Sequence, residues 1–281
     1  MKKILLILAA LAMMAVAAGC GGQQPASSGS GSGAAKPADN KSVTLKIGAT
    51  PVPHAEILEI VKPMLKKEGI ELQVIEFSDY IQPNLALNDK ELDANFFQHT
   101  PYLENFVAEH KELKLKNAGG VHIEPMGVYS KKIKKLDELK DGAVIAIPND
   151  PTNGGRSLML LAKANVIKLK DGASVNATVH DIIENPKNIK FQEVEAAQVP
   201  RTLDDVDAAV INTNFAMQVP LVPTKDAMFM EDKTSPYVNI VAVREGDEKR
   251  PEIQKLMKAL TSKEVKDFID SKYKGEIVAA F

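Results

Sequence analysis

Hydrophobic and polar residues alternate over residues 43–49, where Val43, Leu45 and Ile47 stand between polar neighbours. A period of two is typical of a strand with one buried face. Other short apolar segments are bounded by turn residues, and they predict strands over 70–77, 92–98, 143–147, 188–195, 207–212 and 237–245. The chain is therefore rich in strands, and the segments between them decide the fold class.

Helical spacing fills most of the intervals between these strands. After Pro53, apolar residues recur every three or four positions until Gly69 provides a stop signal, and Pro63 is expected to kink or split this helix. Another helix should open at Thr100 as its N-cap, with Pro101 as its first residue. The remaining helices are predicted over 80–87 with Ser78 or Asp79 as N-cap, directly after the turn at 149–156, near 196–203, and over 250–260 and 263–273.

The alternation of strands and helices predicts an α/β protein with largely parallel strands. Residues 121–130 and 235–240 are extended, and each is expected to cross between two α/β domains. We assign 43–124 and 237–281 to the first domain and 125–236 to the second. A cleft between the domains, at the carboxyl ends of strands, is the expected place for a small-molecule site.

The first twenty residues have the layout of an export signal. Lys2 and Lys3 precede an apolar stretch, and the small-residue sequence AAGC ends at Cys20, the single cysteine of the chain. A signal peptide over 1–19 followed by such a cysteine resembles the bacterial lipobox, in which the thiol is acylated. Ordinary cleavage near Ala18, with an incidental free thiol, is the alternative.

Residues 20–42 join this cysteine to the first strand, and after Cys20 they are mostly Gly, Ser, Ala and polar residues. Such a segment cannot bury enough apolar area to fold, so it is expected to act as a flexible tether. The N-terminal region thus predicts a lipid-anchored protein on the extracytoplasmic face of the cell membrane.

Composition disfavours several classes of function. The formal net charge is only −2 over 281 residues, and no basic run is interleaved with aromatic residues, so no nucleic-acid partner is expected. Neither G-x-S-x-G nor H-E-x-x-H occurs, and we expect neither enzymatic activity nor a cofactor. The five histidines are scattered along the sequence, so a metal-binding transport protein is a less favoured alternative and no metal is expected.

Residues 143–162 contain the first candidate binding motif. A strand leads into a turn rich in Pro and Gly, and Arg156 stands where the next helix begins. Glycines let a ligand approach the backbone, and a helix N-terminus attracts anions. Because an arginine can hold a carboxylate through two parallel bonds, Arg156 and the backbone of 152–156 are candidates for a carboxylate clamp. The simpler alternative is that Arg156 pairs with a surface Asp or Glu.

A second candidate lies at the end of the strand predicted over 92–98. Phe96, Phe97, His99 and Tyr102 are concentrated there, although aromatic residues make up only 5% of the chain. Phe97 and His99 are two positions apart and would share one face, whereas Phe96 would point into the core. The alternative is a core cluster in which His99 has a structural role.

Two asparagines end or interrupt apolar strands. Asn212 closes the strand predicted over 207–212, and Asn239 lies between Val238 and Ile240. A buried amide needs partners, and it can accept from an ammonium group and donate to a carboxylate. Together with Arg156, these residues match a zwitterion such as an amino acid. Each asparagine could instead join loop backbone, which is the more common role.

Longer motifs surround these single residues, namely GATPVPHAEIL (48–58), DYIQPNLALNDKELDANFFQHTPYL (79–103), AIPNDPTNGGR (146–156), AVINTN (209–214) and SPYVNI (235–240). In this order they resemble the NlpA/MetQ family, the methionine-binding lipoproteins of bacterial ABC transporters. The resemblance covers the whole chain after the tether. Phe215 stands where the family often has a tyrosine.

The resemblance implies a two-domain periplasmic-binding-protein fold, type II-like, that closes around L-methionine and delivers it to an ABC permease and ATPase complex. It gives the ligand carboxylate to Arg156 and the amino-acid backbone to the two asparagines, while aromatic and imidazole rings surround the thioether. The implied pocket residues are Tyr80, Phe97, His99, Tyr102, Arg156, Asn212 and Asn239. We expect a monomer, and the alternative ligands are another small amino acid or a methionyl dipeptide.

Overall fold

A computed structural model describes residues 42–281. The predicted signal peptide, Cys20 and the tether as far as residue 41 lie outside the described residues.

The strands of the described part are, in chain order, β1 Val43–Ala49, β2 Ile70–Glu76, β3 Ala94–His99, β4 Leu115–Ile123, β5 Gly127–Tyr129, β6 Val144–Pro148, β7 Lys168–Leu169, β8 Ile182–Glu184, β9 Lys190–Val194, β10 Ala208–Ile211, β11 Phe229–Met230, β12 Val238–Arg244 and β13 Val278–Ala279. The α-helices are α1 Glu56–Lys67, α2 Gln82–Asn88, α3 Thr100–Glu109, α4 Pro151–Lys163, α5 Thr213–Ala216, α6 Pro223–Asp226, α7 Pro251–Leu260 and α8 Lys263–Tyr273. The α/β fold class is confirmed.

The first sheet has the strand order β13-β4-β12-β3-β1-β2. β1 pairs in parallel with β2 and β3, whereas β12 is antiparallel to both of its neighbours. The prediction of a largely parallel sheet is therefore wrong here. The physical reason is that β12 returns from the second sheet and inserts between β3 and β4, so it runs against both.

The second sheet has the order β11-β5-β10-β6-β9. Its centre is parallel, since β6 pairs in parallel with β9 and β10. Its other edge is antiparallel, where β5 pairs with β10 and β11. A separate two-stranded ribbon, β7 with β8, was not predicted because both strands are very short.

Each sheet has its own apolar core. The first core packs β1 and β3 against α1, α7 and α8 through residues such as Ile47, Phe96, Leu58, Leu256 and Val265. The second packs β6 and β10 against α4 through residues such as Ile145, Val210, Leu158 and Leu161. The apolar periodicity of the sequence thus marks the buried faces correctly.

The chain passes between the sheets twice. It leaves the first sheet after Ile123 in β4 and enters the second at Gly127 in β5. It returns after β11 and re-enters the first sheet at Val238, which pairs with Ile123. The two crossings are therefore hydrogen-bonded side by side, and a cavity lies next to them.

Several helix boundaries differ from the predictions. α1 runs continuously from Glu56 to Lys67 with Pro63 inside it, so it is not split. The cap of α3 is His99 rather than Thr100, because the His99 ring nitrogen accepts from the Tyr102 backbone N–H. The helix near 196–203 is a 3-10 helix, Ala196–Asp204, which contains Pro200. In the described range, no helix is both long and apolar enough to cross a membrane.

Candidate functional site

A cavity of about 310 Å³ lies between the two sheets and next to both crossings. All seven pocket residues inferred from the sequence line it, together with further polar residues. The lining residues are Tyr80, Phe97, Gln98, His99, Tyr102, Glu124, Asn153, Arg156, Asn212, Thr213, Asn214 and Asn239.

One side of the cavity consists of rings, and we call Tyr80, Phe97, His99 and Tyr102 the aromatic wall. The Tyr80 ring centroid is 5.7 Å from those of Phe97 and Tyr102. Phe97 and His99 share a face of β3, while Phe96 is buried in the core behind it, as the alternation predicts. This wall suits an apolar or thioether side chain.

Both ring nitrogens of His99 have a partner. Nδ1 accepts from the backbone N–H of Tyr102 at 3.1 Å, so the proton is on Nε2, which donates to Asn153 Oδ1 at 3.1 Å. Burial and the positive charge of Arg156 lower the pKa of His99 to about 3. His99 therefore contributes a neutral ring surface to the cavity, and its tautomer is determined by its neighbours.

The segment that carries Arg156 is more helical than predicted. α4 begins at Pro151, because Asp150 caps it by accepting from the backbone N–H of Asn153 at 2.9 Å. Asp150 also accepts, through its backbone oxygen, from Gly154 N. Two of the N–H groups expected to hold a ligand carboxylate are thus already in use. Gly155 serves packing instead, since a Cβ there would lie 2.0 Å from the backbone oxygen of Val175.

Arg156 is buried, with only 3% of its surface exposed. Nε donates to Glu231 Oε1 at 2.8 Å, and Nη2 donates to the other Glu231 oxygen and to the backbone oxygen of Glu124. Its guanidinium also lies 4.2 Å from the ring centroid of Tyr237. Burial opposes the charged form, but Glu231 outweighs it and the pKa of Arg156 is raised.

The arginine thus has an acidic partner, as the simpler reading of the sequence required, but the pair is buried rather than on the surface. Among the hydrogen bonds of residues 42–281, none uses Nη1 of Arg156. Arg156 also lines the cavity.

Asparagines make up much of the remaining lining of the cavity. Asn212 Nδ2 donates to Asn153 Oδ1 at 2.9 Å, and within the described chain its buried Oδ1 has no partner. Asn214 Oδ1 accepts from the Tyr80 hydroxyl at 2.5 Å, and in the same described part its buried Nδ2 has none. A buried amide atom without a partner is costly, so the cavity offers an acceptor and a donor to an incoming molecule.

Glu124 lies in the first crossing and bonds to residues on both sides of it. Oε1 accepts from His122 Nε2 at 2.7 Å and lies 3.2 Å from His54 Nε2, while Oε2 accepts from the Asn214 backbone N–H at 3.1 Å. His54 Nε2 also contacts Asn239 Oδ1 at 3.1 Å. We call Asn153, Arg156, Asn212, Asn214, Asn239 and Glu124 the polar wall.

Burial determines the charge states beneath the polar wall. It lowers the pKa of His54 to about 4, with Glu124 opposing the shift, and it lowers the pKa of His122 to about 3. The same burial raises the pKa of Glu124, against the opposing effect of His54 and Arg156. The two imidazoles are therefore neutral at neutral pH, and the Nε2 atom of each lies within 3.2 Å of the same Glu124 oxygen.

Sequence reasoning missed this group because His54 lies far from His122 and Glu124 in the chain. Their ligand atoms lie within 4.8 Å of one another, which makes them the group in residues 42–281 that could hold a metal ion. His122 Nε2 donates to Glu124 Oε1, while in the described part of the chain the buried Nδ1 of His122 has no partner. The histidine in PVPHAE and the HIEP sequence at the end of β4 were the available signals.

A cavity between two α/β sheets that are joined by two crossings defines the two-domain periplasmic-binding-protein fold. Its lining, which combines rings with buried amide groups and a guanidinium, is that of a solute-binding protein rather than of a nucleophile with its base. Residues 45–281 match the NlpA lipoprotein family, and the chain belongs to that family.

Similar proteins agree with this assignment. The D-methionine-binding lipoprotein MetQ of Salmonella typhi is 45% identical over 237 residues, which cover 83% of this chain and 87% of the relative. A nutrient-binding protein from Burkholderia cenocepacia bound to methionine is 52% identical, with a TM-score of 0.81, and covers 84% of this chain and 100% of its own. A periplasmic substrate-binding protein of an ABC transporter from Coxiella burnetii is 43% identical, with a TM-score of 0.80 and coverages of 84% and 100%.

Proposed function

We propose that this chain is a solute-binding lipoprotein that captures methionine outside the cytoplasm and delivers it to an ABC importer. The observation that carries the proposal is the cavity, in which a ring-lined side faces unpaired amide atoms and a guanidinium. Relatives that bind methionine, and one that serves an ABC transporter, support the choice of ligand and partner.

The proposed roles follow the two walls. Nη1 of Arg156 and the amides of Asn212 and Asn239 hold the carboxylate and ammonium groups, while the aromatic wall surrounds the thioether. Sulfur near aromatic edges gains roughly 0.3–1.5 kcal/mol per contact, so this wall favours methionine over an aliphatic side chain of similar length.

Thermal melting with a panel of ligands tests the proposal. A ligand that binds only the folded state raises the melting temperature by mass action. We expect L-methionine to raise it most among natural amino acids, and D-methionine belongs in the panel because a relative is named for it. Equal stabilisation by leucine or glutamine would contradict the methionine assignment, and a methionyl dipeptide tests the alternative of a longer ligand.

A metal-binding transport protein is the second candidate, and the cluster of His54, His122 and Glu124 is the observation in its favour. Zinc ions and a chelator distinguish it in the same melting assay. If zinc stabilises the protein more than methionine does, and the chelator reverses this, the solute is a metal ion.

The domain division and the membrane anchor are parts of the same proposal. We propose a first domain of residues 43–124 and 237–281 and a second of 125–236, because the crossings fall at these boundaries.

We also propose a monomer, anchored through an acylated Cys20 at the extracytoplasmic face. Cys20→Ala should release the protein from membranes with unchanged methionine affinity, and continued sedimentation of Cys20→Ala with membranes would contradict a single anchor. Light scattering tests the monomer.

A further inference from the structure

An asparagine amide has an oxygen that accepts hydrogen bonds and a nitrogen that donates them. Which of the two a ligand meets depends on which atom faces the cavity. A zwitterion needs acceptors at one end and donors at the other. The neighbours of Asn212 and Asn239 determine which atom each of them presents.

The first chain of hydrogen bonds begins at Asp150. A carboxylate only accepts, and Asp150 accepts from Asn153 Nδ2 with both oxygens at 3.0 Å. Asn153 Oδ1 is therefore turned the other way, where it can only accept. Asn212 must then donate to it through Nδ2, which leaves Asn212 Oδ1 as an acceptor toward the cavity.

His99 supports the same direction independently. Its Nδ1 accepts from a backbone N–H, so its Nε2 carries the proton and needs an acceptor. Asn153 Oδ1 is that acceptor at 3.1 Å. Two neighbours thus fix the orientation of Asn153.

The second chain begins at Glu124. Its carboxylate lies 3.2 Å from His54 Nε2, so that nitrogen carries the proton, while His54 Nδ1 accepts from the Thr50 hydroxyl at 2.7 Å. The Nε2–H group also points at Asn239 Oδ1, 3.1 Å away. The oxygen of Asn239 is thereby occupied, and its Nδ2 is left as a donor for the cavity.

We propose that Asp150 and Glu124 are positioning residues that set the polarity of the binding site. Acting through Asn153 and His54, they make Asn212 present an acceptor for the ligand ammonium and Asn239 a donor for its carboxylate. The bound amino acid is thereby held in one orientation. This inference rests on the proposed function, since it concerns how the same site orients its bound ligand.

Two substitutions weaken these orientations while keeping the local fold, and in Asp150→Ser the Nε2–H group of His99 still faces Asn153 Oδ1. Asp150→Ser keeps a side chain that caps α4 but removes the carboxylate from Asn153. Glu124→Gln can donate to His54 Nε2, so the proton can move to Nδ1 and Asn239 can turn its oxygen to the cavity. Asp181→Ser is the matched control, because Asp181 accepts from the Thr178 N–H in a capping box and does not line the cavity.

Three ligands of the same configuration distinguish positioning from other roles. They are methionine, its α-hydroxy acid, and methioninamide, in which a neutral amide replaces the carboxylate. A hydroxyl both donates and accepts, and so does a primary amide, so each analogue can adapt at one end to a reversed asparagine. Affinities are measured by competition with labelled methionine, and each ligand-free variant is melted to confirm its fold.

We expect Glu124→Gln to lose methionine affinity by about tenfold to a hundredfold, because a reversed Asn239 amide presents a like group to the ligand. Asp150→Ser should lose about fivefold to tenfold, since His99 alone still orients Asn153. In Asp150→Ser the loss for the α-hydroxy acid should be about threefold or less, and in Glu124→Gln the loss for methioninamide should be equally small. Asp181→Ser should leave all three affinities within about twofold.

Other patterns overturn the inference. Parallel losses for all three ligands mean that the carboxylates act on the general structure of the site. If Glu124→Gln weakens methioninamide as much as methionine but spares the α-hydroxy acid, Glu124 is a direct counter-charge for the ammonium. Unchanged methionine affinity in both variants also overturns it.

Nitrogen NMR of the wild-type imidazoles gives a second measurement that needs no variant. The inference requires the proton on Nε2 of both His54 and His99, and a proton on Nδ1 of either overturns it. Failure of the proposed function is recognised separately. In that case the wild-type protein would not bind methionine, whereas the tautomers of His54 and His99 could still be measured by NMR.

Discussion

The two walls of the cavity are built in different ways. The aromatic wall comes from a short, contiguous part of the chain, at β3 and the helices beside it, and three of its four rings pack in one apolar cluster. The polar wall gathers residues from both crossings, α4 and the end of β10, and its members are held by hydrogen bonds and buried charges. Packing tolerates small changes of shape, whereas a buried polar network fails when one member is lost. Substitutions in the polar wall should therefore have the larger effects.

Arg156→Ala should have the largest effect. It removes the guanidinium from the ligand carboxylate, and we expect methionine affinity to fall by ~100- to 10,000-fold in calorimetric titration. It also leaves Glu231, whose side chain is only 12% exposed, without its partner. The unfolding free energy of the ligand-free protein should fall by ~3–5 kcal/mol in chemical denaturation.

Glu231→Gln separates these two consequences of losing Arg156. It disrupts the ion pair but leaves the guanidinium at the cavity, so we expect lower stability with a change in methionine affinity below about tenfold. If Glu231→Gln and Arg156→Ala lose the same affinity, Arg156 acts through the ion pair and does not touch the ligand.

Acidification should affect both walls through their neutral histidines. Burial lowers the pKa of His54 to about 4 and those of His99 and His122 to about 3. Between these values and ~6.5 the unfolded chain binds more protons, so stability falls as pH falls through this window. Each histidine contributes roughly 3–5 kcal/mol at most.

Denaturation curves between pH 7 and pH 4 measure this slope. His122→Gln should flatten it, whereas His180→Gln, at an exposed position, should leave it unchanged. An equal slope in the wild type and in His122→Gln would show that His122 does not drive the loss of stability.

Tyr80→Phe tests the contact between the walls. It removes the hydroxyl that donates to Asn214 Oδ1, and we expect methionine affinity to fall by about threefold to tenfold. Tyr273→Phe is a matched control, because its hydroxyl also donates to a side chain, Glu56, away from the cavity. The control should lower stability alone, and loss of affinity in both variants would make the Tyr80 effect a general one.

Phe97→Leu should have the smallest effect, since it keeps an apolar surface in the aromatic wall. We expect the preference for methionine over norleucine, which has a methylene in place of sulfur, to shrink by about twofold to tenfold. Phe106→Leu, in the same core cluster but outside the cavity lining, should leave the preference unchanged. An unchanged preference in Phe97→Leu would remove the sulfur–aromatic contact from the account of selectivity.

The walls also differ in how well the sequence predicts them. Local periodicity located most strands and helices, and the concentration of rings near Phe97 marked the aromatic wall directly. Asn212 and Asn239 were found because polar residues at the ends or in the middle of apolar strands need partners. In these cases the signal lies within a few residues of the site.

Other features depend on contacts between distant parts of the chain. No local pattern shows that β12 inserts between β3 and β4, or that Glu124 meets His54. The glycines of 154–155 were read as a ligand-binding turn, although Asp150 caps the helix there and Gly155 packs on Val175. The pairing of Arg156 with Glu231 likewise needed the fold to bring together residues 75 positions apart.

The positions of the tyrosines should make ligand binding detectable by fluorescence. The sequence has five tyrosines and no tryptophan, so its near-ultraviolet emission comes from phenol rings. Two of them line the cavity, and Tyr237 lies beside it, 5.1 Å from the His99 ring and against the Arg156 guanidinium. Ligand entry changes the surroundings of most of the fluorophores at once. The unlabelled protein should therefore report its own occupancy as a change in tyrosine fluorescence.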